Sequence, residues 1–259
     1  MKRRVLFAAT GLLGLSMLAP VVAQAQDNKV FRFVPHANLA VLDPIWTTAY
    51  VTRNHAYMIY DTLFSEDAQG NIKPQMVDTY TNSPDRKTWT FKLRSGLEFH
   101  DGKPVTSEDV VASLKRWASR DAMGGILNTF IDRYETPDAN TFRMILKEPS
   151  GIVIDALGKA SSNVPFIMPA RIAATPGSEQ IKEHIGSGPF IFKADEFKPG
   201  ALAVYTRNAK YKSRSEAPSG MAGGRPVNFD RVEWVIIRDP QTQFNAIKAG
   251  EVDMVEQPS

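Results

Sequence analysis

The 259-residue sequence contains no cysteine. It can therefore form no disulfide, and thiolate metal sites and thiol nucleophiles are excluded as well. Stability must come from the burial of apolar side chains instead. About 230 residues follow the N-terminal segment described below, which is enough for one large domain or for two smaller lobes.

Long apolar runs and dense basic runs are also scarce. Beyond the N-terminus no segment is apolar enough to cross a bilayer; residues 152–157, for example, are too few and include Asp155. Three of the 31 basic residues, Lys2, Arg3 and Arg4, lie at the N-terminus, and the remaining 28 balance the 28 acidic residues. The charge pattern gives no support for a surface that binds nucleic acid or anionic lipid.

Metal-binding patterns are missing too. No pair at the i, i+4 spacing of a helical zinc site exists among the four histidines, His36, His55, His100 and His184. His100 is followed by Asp101 and Gly102, a pair that favours a turn before it suggests catalysis. The sequence predicts a structural role for His100, no metal site and no cofactor.

Gly186-Ser187-Gly188 does not match the catalytic loops that it superficially suggests. A nucleophile elbow would need glycine where the chain has Ile185, and a phosphate-binding loop would need lysine after the glycines, where Pro189 follows. We expect Gly186 and Gly188 to allow a close backbone approach between lobes.

The N-terminus has the pattern of a secretory signal peptide. Basic residues 2–4 precede an apolar run over residues 5–18, and Ala23-Gln24-Ala25 supplies a small-x-small cleavage triplet. We predict cleavage after Ala25 and an exported mature protein that begins at Gln26. The alternative is an uncleaved N-terminal anchor or an internal core helix.

Strands and helices are predicted in a mixed order without a regular βαβ repeat, which favours an α+β or discontinuous α/β fold. A hairpin is predicted around Ser83-Pro84-Asp85. The other predicted strands cover residues 31–34, 142–146, 190–193, 202–206 and 232–237, the last as an apolar run buried on both faces.

Helices are predicted from capping patterns and apolar spacing. Thr106 with Asp109 predicts a capped helix with one buried face, and Asp239-Pro240 to Ala249-Gly250 predicts another. A third helix is predicted over residues 50–64. Residues 211–226, rich in Ser, Gly, Pro and charge, predict a surface loop or a flexible insertion.

Four segments together resemble the family 5 extracytoplasmic solute-binding proteins of ABC importers, the dipeptide-, oligopeptide- and nickel-binding group. The most distinctive is residues 91–110, Phe-Lys-Leu-Arg-Ser-Gly-Leu-Glu-Phe-His-Asp-Gly-Lys-Pro-Val-Thr-Ser-Glu-Asp-Val. The others, in the family's order, are residues 38–44 with 61–64, residues 185–190 with Arg207, Asn208 and Tyr211, and residues 232–253.

The resemblance implies a mixed α/β, periplasmic-binding-protein-like fold of two lobes that close on a solute. It implies that residues 26–259 hold most of the first lobe, with an extra subdomain at approximately residues 65–180, and that the second lobe is missing. It also implies a periplasmic, monomeric protein that is not an enzyme, binds peptides or similar small solutes and docks on a membrane permease. Nickel, haem, opines and sugars stay open as ligands.

Aromatic and polar side chains crowd into residues 46–60 and supply the surfaces that a ligand cleft needs. We predict ligand contacts from Trp46, Thr47, Thr48, Tyr50, Asn54 and Tyr57, with Trp46, Tyr50, Asn54 and Tyr57 near one helical face. Core packing for the aromatic residues, and helix capping for the two threonines, are the alternatives. Asp43 and Pro44 are predicted to redirect the chain from strand to cleft.

Two other functions stay open at this point. An exported hydrolase would need a nucleophile with a base, or a pair of positioned carboxylates, and no such set stands out. A lobe that binds no solute would show a melting temperature that no ligand changes.

Overall fold

The computed structural model describes residues 29–258. The predicted signal peptide and its cleavage site after Ala25 therefore lie outside the described residues. No helix within the described range is long and apolar enough to cross a lipid bilayer.

The chain alternates short strands with short helices. The strands are β1 (Val30–Val34), β2 (Asp61–Thr62), β3 (Phe64–Glu66), β4 (Ile72–Pro74), β5 (Val77–Asn82), β6 (Thr88–Leu93), β7 (Ile131–Asp138), β8 (Thr141–Leu146), β9 (Phe166–Ile167), β10 (Phe190–Phe192), β11 (Leu202–Arg207), β12 (Arg231–Val235) and β13 (Met254–Val255). The helices are α1 (Tyr50–Ile59), α2 (Ser107–Ala118), α3 (Ala122–Phe130), α4 (Val153–Gly158), α5 (Ala170–Ala173) and α6 (Pro240–Ala249).

The larger sheet has five strands in the order β10-β11-β12-β1-β13. Strand β1 runs parallel to both of its neighbours, with Phe31 opposite Val232 and Phe33 opposite Trp234 and Met254. The pairs β11–β12 and β10–β11 are antiparallel. This mixed sheet confirms the prediction of an α/β fold without a regular βαβ repeat.

Strand β12 corrects one detail of the sequence analysis. Val232 and Trp234 are buried, whereas Arg231, Glu233 and Val235 are half-buried. The prediction of burial on both faces over residues 232–237 was wrong, because only alternate side chains face the core and the strand ends at Val235.

The second large sheet has four antiparallel strands in the order β5-β6-β8-β7. The predicted hairpin is confirmed, with Asn82 opposite Trp89 across the turn. The predicted alternation on β8 is confirmed as well, since Phe142, Met144 and Leu146 are buried. Phe142 stacks on Phe91 of β6 with ring centroids 4.8 Å apart.

Helix α2 covers one face of this sheet and begins as predicted. The Thr106 side chain accepts from the Asp109 amide, and the Asp109 carboxylate accepts from the Thr106 amide at 2.8 Å. These two bonds form a capping box, which satisfies amides that the first turn would leave free. The predicted start of α6 at Asp239-Pro240 and its end at Gly250, where φ is +72°, are also confirmed.

Helix α1 is shorter than predicted. It ends at Ile59, and the residues that follow form β2, which pairs with β9, and β3, which pairs with β4. Residues 59–65 are all buried, including the polar Asp61, Thr62 and Ser65, so the segment lacks the exposed face that a surface helix would show. Tertiary strand pairing therefore replaces the last turn of the predicted helix.

The buried apolar residues form two large clusters. One fills the space between the four-stranded sheet, α2 and α4, and the other lies between α1 and the five-stranded sheet. The four-stranded sheet falls inside the range predicted for an extra subdomain, whose boundaries near residues 65 and 180 stay a prediction.

Candidate functional site

An open cavity of about 560 Å³ lies between α1 and the five-stranded sheet. This volume is in the range of small-molecule sites in proteins. The residues that line it are Phe31, Phe33, Arg53, Asn54, Tyr57, Met58, Ala160, Phe190, Met221, Pro226, Val227, Asn228, Phe229, Val232, Trp234 and Met254.

The sheet supplies the apolar wall of the cavity. Alternate residues of a strand point to the same face, so Phe31 and Phe33 of β1 stand on the side that α1 covers. Phe33 meets Trp234 of β12 edge to face at 5.5 Å, and Phe31 stacks on Phe229 at 4.8 Å. The rings together form a surface on which an apolar group can pack.

Helix α1 supplies most of the polar groups. Asn54 donates to the Glu256 carboxylate at 3.3 Å, and the Tyr57 hydroxyl donates to the Ala160 carbonyl oxygen at 3.4 Å. Burial raises the pKa of Tyr57 to about 12, against the opposing effect of the Arg225 and Arg53 guanidinium groups. Tyr57 is therefore a neutral hydrogen-bonding group at neutral pH.

The structure brings two of the six predicted ligand-binding residues, Asn54 and Tyr57, into this cavity. Trp46 lies before α1, with the Arg120 guanidinium 5.1 Å above its ring, and Tyr50 is 56% exposed at the first turn. The single helical face predicted for Trp46, Tyr50, Asn54 and Tyr57 was wrong, because the helix begins only at Tyr50.

Thr47 and Thr48 do not line the cavity either. The Thr47 hydroxyl accepts from the Ala49 amide at 3.2 Å, while Ala49, at the cap position of α1, makes no side-chain capping bond. Thr48 is exposed. Ligand contacts from Trp46, Thr47, Thr48 and Tyr50 stay a prediction.

Asp43 has a specific partner. Its carboxylate receives two hydrogen bonds from Arg116 of α2, at 3.1 and 2.7 Å, and accepts from the backbone amides of Ile45 and Ile181. Both charged side chains are at most 2% exposed. Pro44 is buried beside them, and its carbonyl oxygen accepts from the Asn163 amide at 2.9 Å. The structure places Asp43 in a buried ionic network. That Asp43 and Pro44 redirect the chain from strand to cleft stays a prediction.

Gly186 and Gly188 lie against the C-terminal end of α1. The Gly188 amide donates to the Ile59 carbonyl oxygen at 3.0 Å, and a Cβ atom on Gly186 would overlap that same oxygen. These glycines thus permit a close backbone approach, and the approach is between residues 186–188 and the C-terminal end of α1. Their role between lobes stays a prediction.

His100 holds the same glycine segment in place. Its Nδ1 accepts from the Gly186 amide at 3.3 Å, and its Nε2 donates to the Gly188 carbonyl oxygen at 3.2 Å. Burial lowers the pKa of His100 to about 4, so the ring is neutral and carries its proton on Nε2. Both ring nitrogens are occupied by backbone groups, as a structural role requires.

Sequence reasoning missed Arg53 and the loop over residues 211–226. That loop has no regular structure but is anchored: Arg225 pairs with buried Asp61 at 2.9 Å, and the Arg214 guanidinium donates to the Gln75 carbonyl oxygen at 3.0 Å. Two of its residues, Met221 and Pro226, line the cavity. For the loop, Arg214 and Arg225 were the available signal, since a largely buried guanidinium needs a fixed partner.

No group of three or more His, Asp or Glu side chains within residues 29–258 is placed to hold a metal ion. Carboxylates near the cavity are engaged by protein groups: Glu256 accepts from His36 and Asn54. The site thus combines apolar rings with a few polar groups from one helix.

Comparison with known proteins places this geometry in a family context. Residues 71–259 match the family described as bacterial extracellular solute-binding proteins, family 5 Middle. A probable peptide ABC transporter periplasmic-binding protein of Sinorhizobium fredii is 45% identical over 99% of this chain and 49% of its own length. The nickel-binding periplasmic protein of Escherichia coli is 26% identical over 98% of this chain and 45% of its own.

Solved structures show the same fold. The binding protein AgaA of A. tumefaciens R10, in complex with agropinic acid, matches 87% of this chain and 43% of its own with a TM-score of 0.70 and 28% identity. A dipeptide-binding protein of Pseudoalteromonas, in complex with Met-Leu, matches 89% and 48% with a TM-score of 0.73 and 19% identity. The chain spans about half the length of the relatives it matches.

Proposed function

Because the chain belongs to the bacterial extracellular solute-binding proteins, family 5, we propose that it captures a peptide or a similar small solute for an ABC importer. In this proposal the protein is exported to the periplasm, and its loaded form delivers the solute to a permease in the membrane. The observation that carries the proposal is the cavity of about 560 Å³ under α1, with its aromatic wall and its polar groups from Asn54 and Tyr57.

Capture by this cavity requires binding without chemistry. The phenol of Tyr57 is neutral at neutral pH, so this residue of the lining acts as a hydrogen-bonding group and not as a base. Reversible binding then shifts the population toward whichever conformation makes more contacts with the solute. The periplasmic names of the relatives support the location, and the peptide-binding name of the Sinorhizobium relative supports the solute class.

Thermal unfolding of the purified chain tests this function. A solute that binds only the native state raises the melting temperature, so we expect a concentration-dependent rise with at least one of Met-Leu, longer peptides and agropinic acid. Ala160→Trp places a large side chain into the cavity and should abolish the rise. Ala174→Trp, at an exposed position after α5, should leave it unchanged.

Two results would contradict the proposal in different ways. If no solute changes the melting temperature of the folded chain, capture by this chain is refuted. If Ala160→Trp binds as strongly as the unchanged chain, capture occurs elsewhere, and the exposed residues that precede α1 become the alternative site.

A further inference from the structure

Arg53 is the single charged residue among those that line the cavity within residues 29–258. The rest of the lining is apolar apart from Asn54, Tyr57 and Asn228. Arg53 is half-buried on the face of α1 that also carries Tyr57, one turn further along. A guanidinium is more weakly hydrated than an ammonium group, and partial burial strengthens its attraction for an anion.

The guanidinium is oriented but not neutralised. Its Nε and Nη2 donate to the Asn54 Oδ1 at 3.3 and 3.0 Å, and it lies over the Tyr50 ring at 4.4 Å. No carboxylate of the described chain comes within the 4.0 Å of an ion pair with Arg53. The remaining N–H groups of its fork are available to a partner.

A polar network beside Arg53 engages the Glu256 carboxylate. The Glu256 carboxylate accepts from the His36 amide at 2.9 Å and from the Asn54 Nδ2 at 3.3 Å, and its contact with the His36 Nδ1 is 2.8 Å. The Asn54 side chain thus lies between the two charges: its Nδ2 donates to Glu256, and its Oδ1 accepts from Arg53. The guanidinium of Arg53 is thus oriented to pair with an acidic group of a bound solute.

We propose that Arg53 is a specificity-determining residue of this cavity, and that it selects solutes in which a carboxylate adjoins an apolar body. The carboxylate pairs with the free side of the guanidinium, and the apolar body packs on Phe31, Phe33 and Trp234. Charge-assisted hydrogen bonds from a guanidinium to a carboxylate are among the stronger polar contacts in proteins. The inference rests on the proposed function and names the solute class of the same site.

A matched pair of fluorescent probes tests it. Dansyl-leucine carries a carboxylate and an apolar fluorophore, and dansyl-leucine amide has the same body without the charge. We expect the chain to bind the acid about tenfold or more tightly than the amide, because one charge-assisted contact is lost. Arg53→Met should remove this preference while the amide binds as before, and Arg53→Lys should retain part of it.

Arg143→Met is the control, because it removes the same charge from the four-stranded sheet, outside the cavity. Unchanged amide binding by Arg53→Met shows that the cavity persists. Equal binding of acid and amide by the unchanged chain would overturn the inference and leave the cavity intact. A preference that survives Arg53→Met would assign it to another cation.

Failure of both probes to bind would overturn the inference as well. The thermal-unfolding experiment then separates the two ideas: a solute that still raises the melting temperature leaves the proposed function standing, whereas no rise with any solute refutes both.

Discussion

Removing the charge of Asp43 should destabilise the protein more than any surface substitution. Its carboxylate neutralises Arg116, and the two side chains are 0% and 2% exposed. The guanidinium also donates to backbone carbonyl oxygens within residues 175–179, so one ion pair connects the segment before α1, helix α2 and the segment after α5. Asp43→Asn keeps the shape of the side chain and leaves the guanidinium buried without a counter-ion.

The expected loss follows from the cost of a buried charge. Removing one partner of a buried ion pair typically costs about 3–5 kcal/mol, because the remaining charge keeps its desolvation penalty. The asparagine carbonyl can still accept one hydrogen bond from Arg116, which places the expected loss near the lower end, about 3 kcal/mol. Asp78→Asn, at an exposed position on β5, should cost no more than about 0.5 kcal/mol.

Equilibrium unfolding in urea, followed by tryptophan fluorescence, measures both variants. The free energy extrapolated to water gives the loss, and the slope with urea shows whether the unfolded state has changed. Arg116→Lys provides a second variant that keeps the charge without the planar fork, so its loss should be intermediate. If Asp43→Asn costs less than about 1 kcal/mol, the reasoning from the buried ion pair is refuted.

Three other contacts between distant segments, made by Gly186, His100 and Arg225, can be tested in the same way. Gly186→Ala places a Cβ on a backbone oxygen of α1 and should cost about 3 kcal/mol in the same unfolding assay, whereas Gly151→Ala meets nothing within 4 Å and should cost little. Burial lowers the pKa of His100 to about 4 in the folded chain, so between about pH 6.5 and 4 the unfolded chain binds a proton at this residue and the folded chain does not. Stability should therefore fall as the pH drops from about 6.5 towards 4, and His100→Gln should flatten this dependence by up to about 1.4 kcal/mol per pH unit. Arg225→Met removes the counter-ion of buried Asp61 and should expose residues 211–226 to faster cleavage by trypsin.

Each of these has an outcome that would contradict it. Equal losses for the two glycine variants would mean that the close approach to α1 can relax. An unchanged pH dependence in His100→Gln would assign the acid sensitivity to other groups. Cleavage at the original rate in Arg225→Met would show that the loop is held by its other contacts.

The features that sequence reasoning predicted are those with local causes. The capping box of α2 needs Thr106 and Asp109, three residues apart, and the end of α6 needs only the positive φ of Gly250. The hairpin around residues 83–85 depends on one turn. In each case the residues that determine the structure are neighbours in the chain, so their pattern is visible without a fold.

The features that it missed depend on pairing between distant segments. Asp43 meets Arg116 across 73 residues, and Arg225 meets Asp61 across 164. Helix α1 ends early because β2 finds a partner at β9, about a hundred residues later. The cavity has the same origin. Asn54 and Tyr57 belong to an aromatic and polar cluster that is visible in the sequence, whereas the walls opposite them come from β1, from β12 and from the loop before β12.

The place of β1 in the sheet also bears on how the chain acquires its structure. β1 is the first strand of the described chain, yet its hydrogen-bonded neighbours are β12, about 200 residues away, and β13 beyond that. About two hundred further residues must therefore be present before β1 has its parallel partners. Contacts of such high sequence separation make folding slow, so the central parallel pairing should be among the last events.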